Sequence, residues 1–411
     1  MRAAAIVTIG AGAVLCAGVL GCGSDDGAAT ASAGAGKRVR IYSSQPLQGA
    51  TRGQSQSVIN GEKLALRDAG GKGGTCPVDY VALDDSTAAA AQWEPGAVSA
   101  NARKALGDDA TIAYLGEFNS GASAVSLPIL NEAPILQVSP SNTYVGLTKA
   151  EGAEPGEPDK YYPSGERSYG RVVPADHIQA AAVVRYMQDE GVSKVYILND
   201  KEVYGSGIAR TVESGAKAAG IDVIANDGID TKAANQRGLA AKIARSGANG
   251  FFFGGNTYGG AIQLWKDLYA ANPAIKLFGP DGVAEESFYA EVGDPGRNTF
   301  ITVSTLPQKY YPPAAQAFFK AYETAYGKPP ETYGIYGYEA MSVVLDAMSR
   351  AKDCADREQV RDAFFATKDR ESVLGTYSID ADGDTTLTQY GGYRVQGSKL
   401  VFDRVINTEG S

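Results

Sequence analysis

Two α/β lobes, each built on a mostly parallel sheet, are predicted by three observations. The chain has 411 residues, of which 44% are hydrophobic, longer than the roughly 250 to 300 residues at which single cores divide. From Val39 onward, strand-like runs alternate with helical patterns in βαβ order. That alternation is interrupted at Glu151 to Gly165, a stretch rich in proline and charge that reads as an exposed loop, and a second alternating series begins after it.

The first series runs from a strand at Val39 to Ser43 through a helix at Ser57 to Asp68 and a strand at Tyr80 to Leu83. A helix at Val98 to Leu106, a strand at Thr111 to Leu115, a helix at Ser123 to Asn131 and a strand at Ile135 to Val138 complete it. Short apolar runs separated by helix-length segments need crossover connections, and crossovers make parallel sheets. In the second series the helices are Ile178 to Glu190, Ile208 to Ala219, Leu239 to Arg245 and Ala261 to Ala270. Its strands are Lys194 to Leu198, Val223 to Ala225, Phe251 to Phe253, Lys276 to Phe278 and Phe300 to Val303. Helical segments follow at Ala314 to Tyr326, Tyr338 to Arg350 and Glu358 to Ala366. Two paired strands, Tyr390 to Val395 and Leu400 to Ile406, close the chain around Gly397.

Ahead of these elements, Arg2 and the apolar run Ile6 to Leu20 form a processing signal, since spanning a bilayer takes roughly 20 apolar residues. Val19-Leu20-Gly21-Cys22 resembles a lipobox, in which cleavage before the Cys leaves Cys22 to carry the lipid. A polar tether reaches to about residue 37. The expected mature protein is therefore extracytoplasmic and lipid-anchored to the bacterial cell membrane. Of four Cys, Cys16 leaves with the signal and Cys22 is modified, so Cys76 and Cys354 remain as an even pair in an oxidising compartment. A disulfide between them is expected, with two separate buried thiols as the alternative.

Composition also excludes chemistry. Net charge is -9, and loss of Arg2 makes the mature chain more acidic still, with no basic run to meet nucleic acid. The one His, His177, sits in the first turn of a helix and reads as solvated, so imidazole-based triads and zinc sites are not expected. There is no G-x-S-x-G elbow, Walker loop or G-x-G-x-x-G fingerprint. The run Asp380 to Asp384 departs from a calcium loop at Thr385 and Gly391 and reads as a hairpin turn. No enzyme activity, metal or cofactor is expected.

Polar residues gather instead at the carboxyl ends of the strands, where open α/β sheets bind ligands. Strand 111–115 leads into Gly116-Glu117-Phe118-Asn119-Ser120-Gly121-Ala122-Ser123, placing hydroxyls and free N–H groups at a helix start, suited to a carboxylate. Strand 135–138 leads into Ser139-Pro140-Ser141-Asn142-Thr143. Corresponding ends in the second series carry Tyr204-Gly205-Ser206-Gly207, Gly254-Gly255-Asn256-Thr257-Tyr258 and Gly279-Pro280-Asp281-Gly282. Capping and turn chemistry could account for each alone; together at one sheet edge they imply a cleft.

Over nearly its whole mature length the sequence resembles the leucine/isoleucine/valine-binding branch of ABC-transporter substrate-binding proteins, with the type I periplasmic-binding fold. Asn60-Gly61-Glu62 ahead of the first helix body, Leu83-Asp84-Asp85 and Asp200-Lys201-Glu202-Val203-Tyr204-Gly205 carry the resemblance. Phe253-Gly254-Gly255 and Phe278-Gly279-Pro280-Asp281-Gly282-Val283-Ala284 extend it. The resemblance implies two Rossmann-like lobes, 38–172 with 305–389 and 173–304 with 390–411, joined by three crossings and closing over a ligand.

It further implies that Ser120 and Thr143 bind the α-carboxylate and α-amino group of an amino acid, with Ser141 contributing backbone contacts. Tyr204 and Asp281 reach the ligand from the second lobe, and Asp281 pairs with its ammonium. Asn119 belongs to the same cluster. Asn256 and Gln54 stand where the branched-chain proteins have aromatic residues, which makes this pocket more polar. The implied partners are an amino acid or related small amide, ABC permease subunits and the membrane through the lipid, with the protein acting as a monomer and no nucleic acid bound. A lipid-anchored sensory protein of the same fold is the alternative.

Overall fold

The computed structural model describes residues 36–408; the expected signal sequence, Cys22 and nearly all of the tether lie outside them. No helix among the described residues is long and apolar enough to cross a membrane. Strands Lys72–Gly73, Cys76–Asp84, Val39–Gln45, Thr111–Leu115, Leu136–Ser139 and Tyr169–Arg171 lie side by side in that order. Their pairings are parallel apart from the short antiparallel contact of Lys72–Gly73 with Cys76–Asp84. Because Val39–Gln45 lies between Cys76–Asp84 and Thr111–Leu115, the loops leaving it and Thr111–Leu115 diverge and open a crevice at their carboxyl ends.

The second sheet has the order Asp222–Gly228, Lys194–Asn199, Gly250–Gly254, Lys276–Gly279, Thr299–Val303, Gln389–Gln396, Lys399–Asn407. Its first five strands are parallel and its last two antiparallel. Its centre shows why the sequence reads Phe251-Phe252-Phe253. Successive side chains of a strand point to opposite faces, and helices cover both faces of a parallel sheet. Phe251 and Phe253 pack around Trp265, with ring centroids 5.7 and 5.9 Å away. Phe252 packs on the other face with Phe278, Phe300 and Tyr186.

After Val303 the chain rejoins the first lobe, where helices Pro313–Tyr326, Gly334–Arg350 and Arg357–Phe365 share a core with Val39, Ile41 and Ile112. Helix Gly334–Arg350 packs closely on helix Arg52–Asp68. A Cβ on Gly61 would stand 2.2 Å from the Gly334 carbonyl oxygen, so a larger residue there would force the helices apart. A disulfide joins Cys76 to Cys354, their Cα atoms 5.9 Å apart, and ties the sheet to the chain just beyond that helix.

Four details depart from the sequence reading. Helix Arg52–Asp68 begins before the expected Ser57, so Asn60-Gly61-Glu62 lies inside the helix and not ahead of it; the polar first turn hides the period. Helix Val203–Ala218 likewise starts before Ile208. The strand Tyr169–Arg171, short and preceded by proline-rich sequence, was not expected at all. Finally, the segment from Glu151 to Gly165 is not simply exposed, because it folds around a buried carboxylate. Tyr144 Oη and Tyr161 Oη donate to Glu157 at 2.5 and 2.6 Å, and Tyr161 and Tyr162 are buried with it.

The acidic run at Asp380 forms a turn, closed by the antiparallel bridge between Ile379 and Thr385. Lys149 Nζ lies 2.8, 2.9 and 3.5 Å from carboxylate oxygens of Asp380, Asp382 and Asp384, so a side-chain cation neutralises the cluster. His177 is exposed on the first turn of helix Asp176–Asp189.

Candidate ligand site

Strand-end loops of both sheets and the starts of two helices line a partly open cavity of about 30 Å³, above the roughly 10 to 15 Å³ that one water needs. Gln54, Asn119, Ser120, Ser141, Thr143, Tyr204, Asn256 and Asp281, the contacts expected from the sequence, all line it. Phe118, Gly282, Glu285 and Tyr333 complete the wall.

From the first lobe, strand Thr111–Leu115 delivers Phe118, Asn119 and the start of helix Ser120–Leu130. The first bond within that helix is from Ser123 N to Asn119 O at 3.1 Å, so the N–H groups before it have no helical acceptor and favour an anion. Neighbouring loops are pinned together: Ser141 Oγ donates to Phe118 O at 3.0 Å, and Asn142 Nδ2 donates to Glu117 O at 2.7 Å. Ser120 Oγ accepts from Tyr144 N at 3.4 Å. These bonds fix Ser120, Ser141 and Thr143 relative to one another.

In the second lobe, Asp200 performs the same task. Its Oδ1 accepts from Glu202 N at 3.0 Å and its Oδ2 from Asn256 N at 3.1 Å, setting Tyr204 and Asn256 on a common frame. Burial pushes the Asp200 carboxyl up to about 7. Tyr204 Oη donates to Asp281 Oδ1 at 2.6 Å, while Tyr333, arriving from the first lobe, donates to Oδ2. Gly282 must be small here: a Cβ would stand 2.6 Å from Gly255 O and 2.8 Å from the Tyr204 ring.

Asp281 is 4% exposed, and burial raises its pKa, with the Tyr204 bond opposing. A carboxylate offers about four lone-pair sites, so the two tyrosines leave capacity for a further donor. None of the described residues lining the cavity is Lys, Arg or His. Beside it, the Asp176 carboxylate is buried with only the Thr143 side chain to favour its charged form. Burial pushes Asp176 up to about 8; Thr143 opposes the rise and the Asp281 charge reinforces it. This excess of buried acidity suits a ligand that brings a positive charge.

The lobes are in contact across the cavity. Gln54 Nε2 donates to Ala284 O at 3.1 Å and Asn119 Nδ2 to Tyr258 Oη at 3.2 Å. Asn256 Nδ2 donates to the same Tyr258 oxygen at 3.1 Å. At the rim, Arg210 lies 2.8 Å from Glu154 and donates to Tyr144 Oη at 3.2 Å. Of the residues the sequence reading missed, Phe118 stood inside an identified cluster and Glu285 one turn beyond Asp281. Tyr333 carried no signal, because it precedes a helix far from any strand end.

Two α/β lobes with a small cavity walled from both sides define a ligand-binding protein of the type I periplasmic-binding fold. The chain belongs to the periplasmic binding protein family, whose pattern matches residues 39–399. The Leu/Ile/Val-binding protein BraC3 of Rhizobium johnstonii is 26% identical over 359 residues, covering 87% of this chain and 91% of that protein. Among solved structures, the leucine-binding protein LivK from Thermotoga maritima has a TM-score of 0.78 at 21% identity, covering 90% of this chain and 99% of that one. LivJ from Streptococcus pneumoniae, in complex with isoleucine, has a TM-score of 0.74 at 19% identity, with coverages of 90% and 99%.

Proposed function

We propose that the protein captures an amino acid or related small amide between its lobes and presents it to the permease of an ABC importer, held at the outer face of the cell membrane by lipid on Cys22. It acts as a binding protein and not an enzyme. The observation that carries this reading is the pairing of a helix N-terminus and hydroxyls on one wall with an uncompensated carboxylate, Asp281, on the other. That arrangement matches the two charges of an amino acid. Relatives named as Leu/Ile/Val-binding proteins support the amino-acid ligand, and LivJ, named as a transporter substrate binding protein, supports the transport role.

A thermal-shift screen of amino acids, amides, urea and simple carboxylates tests the ligand class, since a ligand held only by the folded state raises its stability. An amino acid should give the largest shift; a shift from carboxylates alone would overturn the reading. With that ligand, Asp281→Asn should weaken binding by roughly 2 to 5 kcal/mol. Ser120→Ala should cost less, about 1.5 to 3 kcal/mol, because backbone donors remain. An Asp281→Asn protein that binds like the parent would refute the ammonium assignment. Cys22→Ala should release the protein from membranes on fractionation, and unchanged partitioning would refute lipidation.

A further inference from the structure

Gln54 and Glu285 come from opposite lobes and meet at the cavity wall, where the Gln54 amide nitrogen donates to the carbonyl of Ala284, the residue before Glu285. This bond uses the nitrogen and leaves the amide oxygen as an acceptor. Gln54 Oε1 and Glu285 Oε2 are both buried, and neither receives a hydrogen bond from the protein. Each residue is only 5% exposed. Burial pushes the Glu285 carboxyl up to about 7, with side-chain hydrogen bonding from Thr257 and Thr51 opposing, so it is the Oε2 atom alone that is left without a donor. A buried acceptor without a donor is costly to keep. Both residues line the cavity, and no Lys, Arg or His stands among the described residues of its wall, so a ligand is the available source of N–H groups for these acceptors. An aliphatic side chain seated there would leave both acceptors dry and unpaired.

We infer that Gln54 and Glu285 form a side-chain subsite selecting small amino acids whose side chain ends in an N–H donor, an amine or an amide, over those with aliphatic side chains. The inference rests on the amino-acid reading of the site and adds to it, because Asp281 takes the α-ammonium and these two residues take the far end. Since the two acceptors belong to different lobes, a ligand bridging them also holds the lobes together.

Isothermal titration of the mature protein with leucine, isoleucine, asparagine, glutamine, 2,3-diaminopropionate and ornithine tests it. The expected result is that one of the four polar ligands binds at least tenfold tighter than leucine. Glu285→Leu and Gln54→Leu should each cut that preference tenfold or more. Glu285→Gln, which keeps the side chain's shape, guards against misfolding: it should weaken a diamino ligand strongly and an amide little. If leucine or isoleucine binds tightest, or if the variants keep the parent's preference, the subsite is refuted and the amino-acid reading stands. If no amino acid binds while another small molecule does, both fall.

Discussion

Arg171 and Asp384 form a buried ion pair, Nε to Oδ1 2.7 Å, at the point where the chain leaves the first sheet. The same guanidinium donates to the carbonyls of Asn142 and Tyr144 at 3.1 and 2.9 Å, holding the two residues that flank Thr143. Burial alone would raise the Asp384 carboxyl, but Arg171 and Lys149 hold it below the usual range. Its contribution to stability is therefore present above the unfolded-state pKa and lost as pH falls through the folded value. Arg171→Met should destabilise the ligand-free protein by about 3 to 5 kcal/mol, because it strands a buried carboxylate. Urea unfolding measures this, and a loss under about 1 kcal/mol would show that the pair does not organise the loop.

Arg210 makes a second connection, this time across the cleft mouth. Its contacts with Glu154 and Tyr144 run from one lobe to the other, and the Arg210 and Glu154 side chains are 36% and 51% exposed. An exposed pair contributes roughly 0.2 to 1 kcal/mol. Arg210→Ala should accordingly speed ligand release by about two- to fivefold with little change in association, as stopped-flow fluorescence would show. High salt should narrow the difference; an unaltered release rate would mean the contact does not hold the closed state.

Protonation should be coupled to binding. Burial lifts Glu285 to about 7 and Asp176 to about 8, and a ligand ammonium favours their charged forms. Affinity for an amino acid should rise from pH 5 to pH 8, and binding near pH 7 should release protons, giving a titration enthalpy that depends on the buffer. For the free protein the sign is opposite. Folded-state values above the unfolded reference of about 4 mean the folded chain holds more protons between about pH 4 and 8, so stability falls as pH rises through that window. Affinity independent of pH over this range would refute the coupling.

The Cys76–Cys354 disulfide lies away from the cavity wall and should act on stability alone. Replacing both cysteines by Ala should cost about 2 to 5 kcal/mol and leave ligand affinity near the parent's. Calorimetry and isothermal titration read the two effects separately. Alkylation of both thiols in unreduced, unfolded protein would show the bond absent.

Much of this architecture was legible because the parallel strands are short apolar runs bounded by small polar residues. Thr111–Leu115 and Phe251-Phe252-Phe253 are buried on both faces, and that is what makes their apolar runs continuous in sequence. Ser141, Thr143, Asn256 and Asp281 were findable because each follows such a strand within a few residues. Tyr333 was not, because its place at the cavity depends on how helices Arg52–Asp68 and Gly334–Arg350 pack, and no local pattern encodes that. Nor does composition reveal that Glu157 is buried. A carboxylate in a proline-rich stretch reads as solvated until Tyr144 and Tyr161 are known to surround it.

The strand order has a consequence for how the protein is made. Gln389–Gln396 pairs directly with Thr299–Val303, and Cys76 waits for a partner 278 positions later, so each lobe needs a piece of chain that is synthesised near the end. Non-local pairing of this kind is slow, since loop closure must precede the contacts that reward it. A chain stopped before Gln389 would carry Tyr204, Asn256 and Asp281 complete, yet leave Thr299–Val303 as a bare apolar edge open to pairing with other chains. Premature termination would therefore yield aggregation rather than a weaker binder, even though every residue lining the cavity had already been translated.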